Sequence, residues 1–262
     1  IYRQYRLLPF GAYMYPFLSV PKTAHQFKTG VTFDRVLRLY RFDKKLRVLL
    51  FNEIEKIEVA FRAAVVNTIT DRTGDIFWMT NPAYVNSSTS SLIQREYSRS
   101  TEDFIEHFKR TYSDPYPPAW ILSEILPFGN ITWIFRNLSN SNKKAVAKKF
   151  YLHAPVLESW MNIVTLTRNS CCHHARVWNK VNSIIPNDMS GMTRPWITTS
   201  TDKRKTYYNI CIIKYFLDLI SPNNDFKKKL LTLFLAFPEI DLNAMGFNAN
   251  WEAEPLWRSS TE

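Results

Sequence analysis

Residues 34–72, DRVLRLYRFDKKLRVLLFNEIEKIEVAFRAAVVNTITDR, decide the fold. Val36, Leu39, Leu46, Leu50, Ile54 and Ile57 return at steps that keep them on one side of an α-helix, the pattern of a buried stripe. Asp34 is a suitable N-cap and Gly74 a suitable terminator, so one long helix is expected from 34 to about 72. Its first half is basic away from the stripe, and Arg35, Arg38, Arg41, Lys44, Lys45 and Arg47 are read as its exposed side. Glu58 and Arg62 stand four apart in the order that favours an intrahelical ion pair.

Upstream, residues 1–32 carry Pro9, Pro16 and Pro21, which prevent a long helix. The aromatic rings there are expected to pack on the helices that follow, with Arg3 and Arg6 exposed. Downstream, residues 73–100 hold Asn81-Pro82 and the run NSSTSS, and read as a polar surface insertion or linker. Helices are expected over 101–112, from Pro118, after a bend at Phe128-Gly129-Asn130, and over 143–150. A central helix is expected over 155–180, its apolar stripe made of Leu157, Trp160, Val164, Cys171, Ala175 and Trp178. Two more follow at about 201–219 and 226–236, and the tail MGFNANWEAEPLW should dock back on the body. No alternation of period two and no internal repeat is visible. The expectation is an all-α chain forming one domain over 1–262.

Composition narrows the partners. With 262 residues, 45% of them apolar and 15% aromatic, the chain can bury a sizeable core. Only 6 Gly disfavours glycine-rich nucleotide loops. Lys and Arg number 34 against 23 Asp and Glu, a net charge of +11 and a pI near 9.5. That excess favours a polyanion, either nucleic acid or an acidic membrane surface, although solubility alone is the plainer use. The apolar runs near 210–220 and 230–237 are too short for a bilayer, or carry Lys214 and Asp218. No basic amphipathic helix has an apolar face to spare, so no membrane role is expected. Cys171, Cys172 and Cys211 suit neither a disulfide framework nor a CxxC zinc site, which fits a reduced, cytoplasmic protein.

Candidate chemistry concentrates in RNSCCHHARVWNK, residues 168–180. On a continuous helix, Asn169, His173, Arg176 and Lys180 would line one polar face, with Arg168 about 140° around from His173 and about 7.5 Å along the axis. RNA carries its own nucleophile, the 2′-hydroxyl. A metal-free ribonuclease therefore needs a histidine as general acid or base and a cation for the developing phosphorane charge. His173 and Arg168 are those two types, and Asn169 could orient the histidine or bind phosphate. On spacing alone, His173 reads first as a capped or surface imidazole. Metal binding by His173 and His174 is a poorer reading, because adjacent helix residues point about 100° apart. Buried packing suits Cys171-Cys172 better than a nucleophilic thiol.

Several segments in order, FKTGVTF at 27–33, LYRFDKKLR at 39–47, IEKIEVAFR at 54–62, PPAW at 117–120, PFG at 127–129, RNSCCHHARVWNK at 168–180 and MGFNANWE at 245–252, resemble the Abi family of abortive-infection proteins, of the AbiD/AbiF type in the wider HEPN superfamily. The helical N-terminal portion that normally precedes the family's aromatic segment has no counterpart, and the chain begins at Ile1, so that portion is expected to be missing. The resemblance implies a HEPN-like helical bundle with additional peripheral helices. It also implies a metal-independent, cofactor-free endoribonuclease toxin in anti-phage defence, with the motif Arg168, Asn169 and His173 as catalytic residues and His174 accessory. HEPN nucleases commonly pair two such motifs across a homodimer, and some relatives bind structured noncoding RNA. Arg176, Lys180, Arg62, Arg41, Lys44, Lys45 and Arg47 are the expected RNA-backbone contacts. The alternative of another class is a non-cleaving RNA-binding protein whose pocket holds a noncoding RNA.

Overall fold

The computed structural model describes residues 10–258; Arg3 and Arg6 lie outside them. After a short helix α1 (Phe10–Met14), the chain enters α2 (Phe33–Thr73), the long helix expected from the stripe. Its N-cap is Thr32 and not Asp34: the Thr32 hydroxyl accepts from the Arg35 N–H at 3.2 Å, while Asp34 sits in the first turn, where the helix dipole favours it. Gly74 closes the helix in the left-handed region, φ 67°.

The stretch 73–100 is not a surface loop. Trp78 and Met79 are fully buried, and α3 (Ser87–Arg99) occupies its second half. The polar run that reads as a linker is a helix start. Asn86 caps it by accepting from the Thr89 N–H, and Thr89, Ile93 and Glu96 face inward at helical spacing. Helices α4 (Asp103–Thr111) and α5 (Ala119–Glu124) follow, the latter restarting just after Pro118. The expected bend at Phe128-Gly129-Asn130 is instead the first turn of α6 (Phe128–Asn137), with Pro127 as its N-terminal boundary. Next come α7 (Asn140–Lys149), α8 (Ala154–Cys172), α9 (Thr206–Ile220) and α10 (Phe226–Ala236). Among the described residues the one extended pairing is an isolated antiparallel bridge, Leu18 with Phe27. The fold is all-α.

Helix α2 runs through the middle and packs on α1, α5, α6, α7, α8, α9 and α10. Its stripe, from Val36 through Leu46, Leu50 and Ile54 to Ile69, belongs to one continuous apolar core. Phe61 is the hub of an aromatic cluster, with ring centroids 6.2, 5.5 and 6.0 Å from Phe128, Phe135 and Phe150. The tail docks as expected: Met245, Phe247, Trp251 and Trp257 are buried, and Glu254 accepts from the Thr198 and Thr199 N–H groups at 2.6 and 3.2 Å.

Candidate functional site

The central helix stops earlier than its pattern suggests. Helix α8 ends at Cys172 with His173 as C-cap, and His174 turns left-handed at φ 55°. The N–H groups of His173, His174 and Ala175 fold back onto the carbonyls of Asn169, Cys171 and Ser170, satisfying the end of the helix. The apolar stripe therefore does not reach 180: Ala175 is exposed, and Trp178 is buried but reaches the core from a turn. Nor do Asn169, His173, Arg176 and Lys180 share a helical face.

What holds residues 175–178 is a carboxylate on α2. Asp43 is 0% exposed and accepts from the N–H groups of Val177, at 3.1 Å, and Trp178. Around it Tyr13 donates its hydroxyl proton to Asp43, and Arg47 donates to both Asp43 and Tyr13. Burial pushes the Asp43 carboxyl above the usual range, and the ring of donors pulls against that shift. Arg47 is consequently 5% exposed and ion-paired. It is removed from the expected basic face, because the Asp43 charge at this depth demands a cation beside it. Asp43 and Tyr13 are absent from the reading of the sequence. The signal for the first was there: Asp43 stands on the apolar stripe, between Leu39 and Leu46, with an arginine four residues on.

The remaining expected residues divide into three groups. Asn169, His173 and His174 are exposed at the end of α8, and neither imidazole has a hydrogen-bond partner among the described residues. Arg176 and Lys180 are half-buried and fasten the turn: Arg176 donates to the Ala12 carbonyl, and Lys180 to the Ser170 hydroxyl at 2.8 Å. Arg41, Lys44 and Lys45 remain exposed along α2.

Arg168 and Arg62 meet in a cleft of 540 Å³ between α2, α5 and α8. Glu58 lies between them, 3.3 Å from Arg62, as the spacing on α2 predicts, and 3.8 Å from Arg168. Arg62 also donates to the carbonyls of Ser123 and Leu126, so it ties α5 to α2. The Arg168 guanidinium lies over the Phe51 ring, 5.9 Å from its centroid, and its Nε has no hydrogen-bond partner. Three large apolar side chains at the mouth are open to solvent: Phe51 at 41%, Val59 at 61% and Trp120 at 47% exposed.

The thiols play no evident chemical part. Burial pushes Cys171 and Cys211 up to about 12, which keeps both protonated at neutral pH. Among the described residues no three His, Cys, Asp or Glu side chains gather as a metal-ligand group, and no helix is long and apolar enough to cross a membrane.

A helical frame that ends its central helix in an exposed histidine turn, with a cleft of arginines, glutamates and apolar side chains beside it, defines a class: an all-α protein with an open site of mixed character. Residues 2–179, which hold α2 through α8 and this turn, match the family described as Abi-like protein; the chain belongs to that family. No curated protein and no solved structure matches the chain.

Proposed function

We propose that the chain is a metal-independent endoribonuclease of the HEPN type, acting in the cytoplasm as a toxin in abortive infection. In this reading His173 exchanges the proton of the 2′-hydroxyl or of the leaving 5′-oxygen. Arg168 stabilises the charge on the phosphorane, and Asn169 orients the phosphate. The observation that carries it is the placement of the Arg-x4-His pair. The His173 imidazole is exposed and free of partners, and Arg168 lines an open cleft on the same end of α8. The Abi-like family associates the chain with abortive infection.

A second copy completes the site in this proposal. Within one chain Arg168 lines the cleft beside α8, while His173 stands at the C-cap, beyond the last helical residue Cys172. The solvent-open Phe51, Val59 and Trp120 beside the cleft give a partner an apolar surface to cover. Arg41, Lys44 and Lys45 then serve as RNA-backbone contacts, and a structured noncoding RNA is the natural regulator of such a surface.

One observation favours the alternative of RNA binding without cleavage. Glu58 already sits against Arg168 at 3.8 Å, which offsets the cation a phosphorane would need. The experiment that separates the two is incubation of the purified protein with RNA in EDTA. Removing a general acid–base costs about 10²–10⁴-fold in rate, so cleavage should persist in EDTA and collapse in His173→Ala. Cleavage that survives the substitution sinks the mechanism, and salt-dependent binding with no cleavage selects the alternative.

A further inference from the structure

At the other end of α8, about 27 Å from His173 by helix rise, lies a second cleft, of 840 Å³. One wall is the last turns of α7, where Lys144, Lys148 and Lys149 are exposed and, among the described residues, make no ion pair. Lys144 and Lys148 stand four apart on one helix face, and like charges at that spacing repel. Neighbouring Lys143 and Arg136 are both drawn to Glu158, at 3.4 and 3.5 Å, so that acid is already engaged. Three cations are left without a counter-charge.

The wall ends in an unusual residue. Tyr151 follows the C-cap of α7 and is left-handed at φ 55°, a position that glycine or asparagine would occupy without strain. The Leu152 N–H reaches back to the Ala147 carbonyl at 3.2 Å, closing the helix around it. A bulky aromatic side chain is left half in solvent there: Tyr151 is 53% exposed. Its ring instead carries the Arg194 guanidinium, 5.4 Å from the centroid. A strained backbone that displays an aromatic ring to solvent is the kind of outlier that functional surfaces retain.

We infer that this cleft is a second nucleic-acid site, which binds single-stranded RNA by stacking a base on the Tyr151–Arg194 pair and its phosphates on Lys144, Lys148 and Lys149. Aromatic rings in a cationic groove are sequence-tolerant platforms for unpaired bases, whereas a duplex keeps its bases stacked on each other. The inference rests on the reading that RNA is the partner, and adds where a strand is held while its other part lies at His173. A strand spanning the length of α8 would engage both ends.

The test is fluorescence anisotropy with a short, 2′-O-methylated single-stranded RNA, which cannot be cleaved, and a duplex of equal length. The variant K144A/K148A/K149A should lose affinity, and its slope of log affinity against log salt should fall by about 2, at roughly 0.7 per phosphate on a single strand. Tyr151→Asn keeps a residue that tolerates the left-handed backbone and should weaken binding by about 5- to 150-fold, the range for one lost stack. Tyr151→Phe should bind as the parent does. An unchanged salt slope in the lysine variant overturns the site and leaves the ribonuclease reading standing; no binding by the parent protein removes both. Equal affinity for the duplex with no sensitivity to Tyr151 overturns the stacking. Lysine-dependent binding to phosphatidylglycerol vesicles in place of RNA overturns the inference in favour of a membrane surface.

Discussion

Asp43 accepts a hydrogen bond from the N–H of Val177 at 3.1 Å across a sequence separation of 134 residues. That bond decides where the central helix ends. Two backbone N–H groups that a continuing α8 would have used internally are taken by a carboxylate on α2. The turn that carries His173 and His174 is thereby fixed to the long helix.

Removing the carboxylate leaves Arg47 buried without its partner. Breaking one side of a buried pair costs about 3–5 kcal/mol, so Asp43→Ala should lower stability by that order in urea unfolding. Asp43→Asn, which keeps an oxygen acceptor for the Val177 and Trp178 N–H groups, should lose less than Asp43→Ala. A single variant as stable as the parent would show that the network contributes nothing.

The surface cations of α2 should behave in the opposite way. Lys44→Ala and Lys45→Ala touch no buried partner, so their unfolding free energies should stay within about 0.5 kcal/mol of the parent. RNA affinity should fall, most at low salt. Arg47→Met should show the reverse pattern, lost stability first. Titration of all three against one RNA at two salt concentrations, beside urea curves, checks the division.

If two copies build the active site, Phe51→Glu and Val59→Glu should dissociate it. A charge at the centre of an apolar contact is strongly disfavoured, so sedimentation should show monomers and RNA cleavage should disappear, although Arg168 and His173 are intact. Inactive Arg168→Ala and His173→Ala chains, mixed, should regain part of the activity if the motifs meet between copies. A fully active monomer removes the composite site.

Glu254 gives the tail an acid limit. Burial alone would raise its carboxyl, but hydrogen bonds from Thr198 and Thr199 outweigh it and hold the group below its ordinary value. A depressed folded-state value stabilises above the unfolded one, about 4.3, and that contribution is lost as pH falls through the folded value. Emission of Trp251 and Trp257 should therefore report tail release below about pH 4 at a denaturant level the protein withstands at pH 6. Glu254→Gln should be weaker at pH 6 and lose this acid dependence.

Local patterns were informative wherever the apolar stripe matched the final burial. The stripe of α2, the terminator Gly74, the pair Glu58–Arg62 and the docking tail could all be read from neighbouring residues. The run NSSTSS misled because serine and threonine suit both loops and helix starts. Thr89, Ile93 and Glu96 carry the inward spacing, but two of the three are polar. Phe128-Gly129-Asn130 misled for a related reason, since glycine in a first helical turn costs little where the burial of Phe128 and Ile131 holds the helix.

By itself the sequence determined the helical class and the two long stripes that meet at the centre. Short-range periodicity and capping chemistry suffice for those. Only the tertiary structure decided that α8 stops at Cys172, that Arg47 is an internal counter-ion, and that Arg168 shares a cleft with Glu58 and Arg62. The reason is that each depends on a buried charge or an unpaired backbone group finding its partner across the fold. No local propensity records where on α2 the Asp43 carboxylate will meet residues 177 and 178.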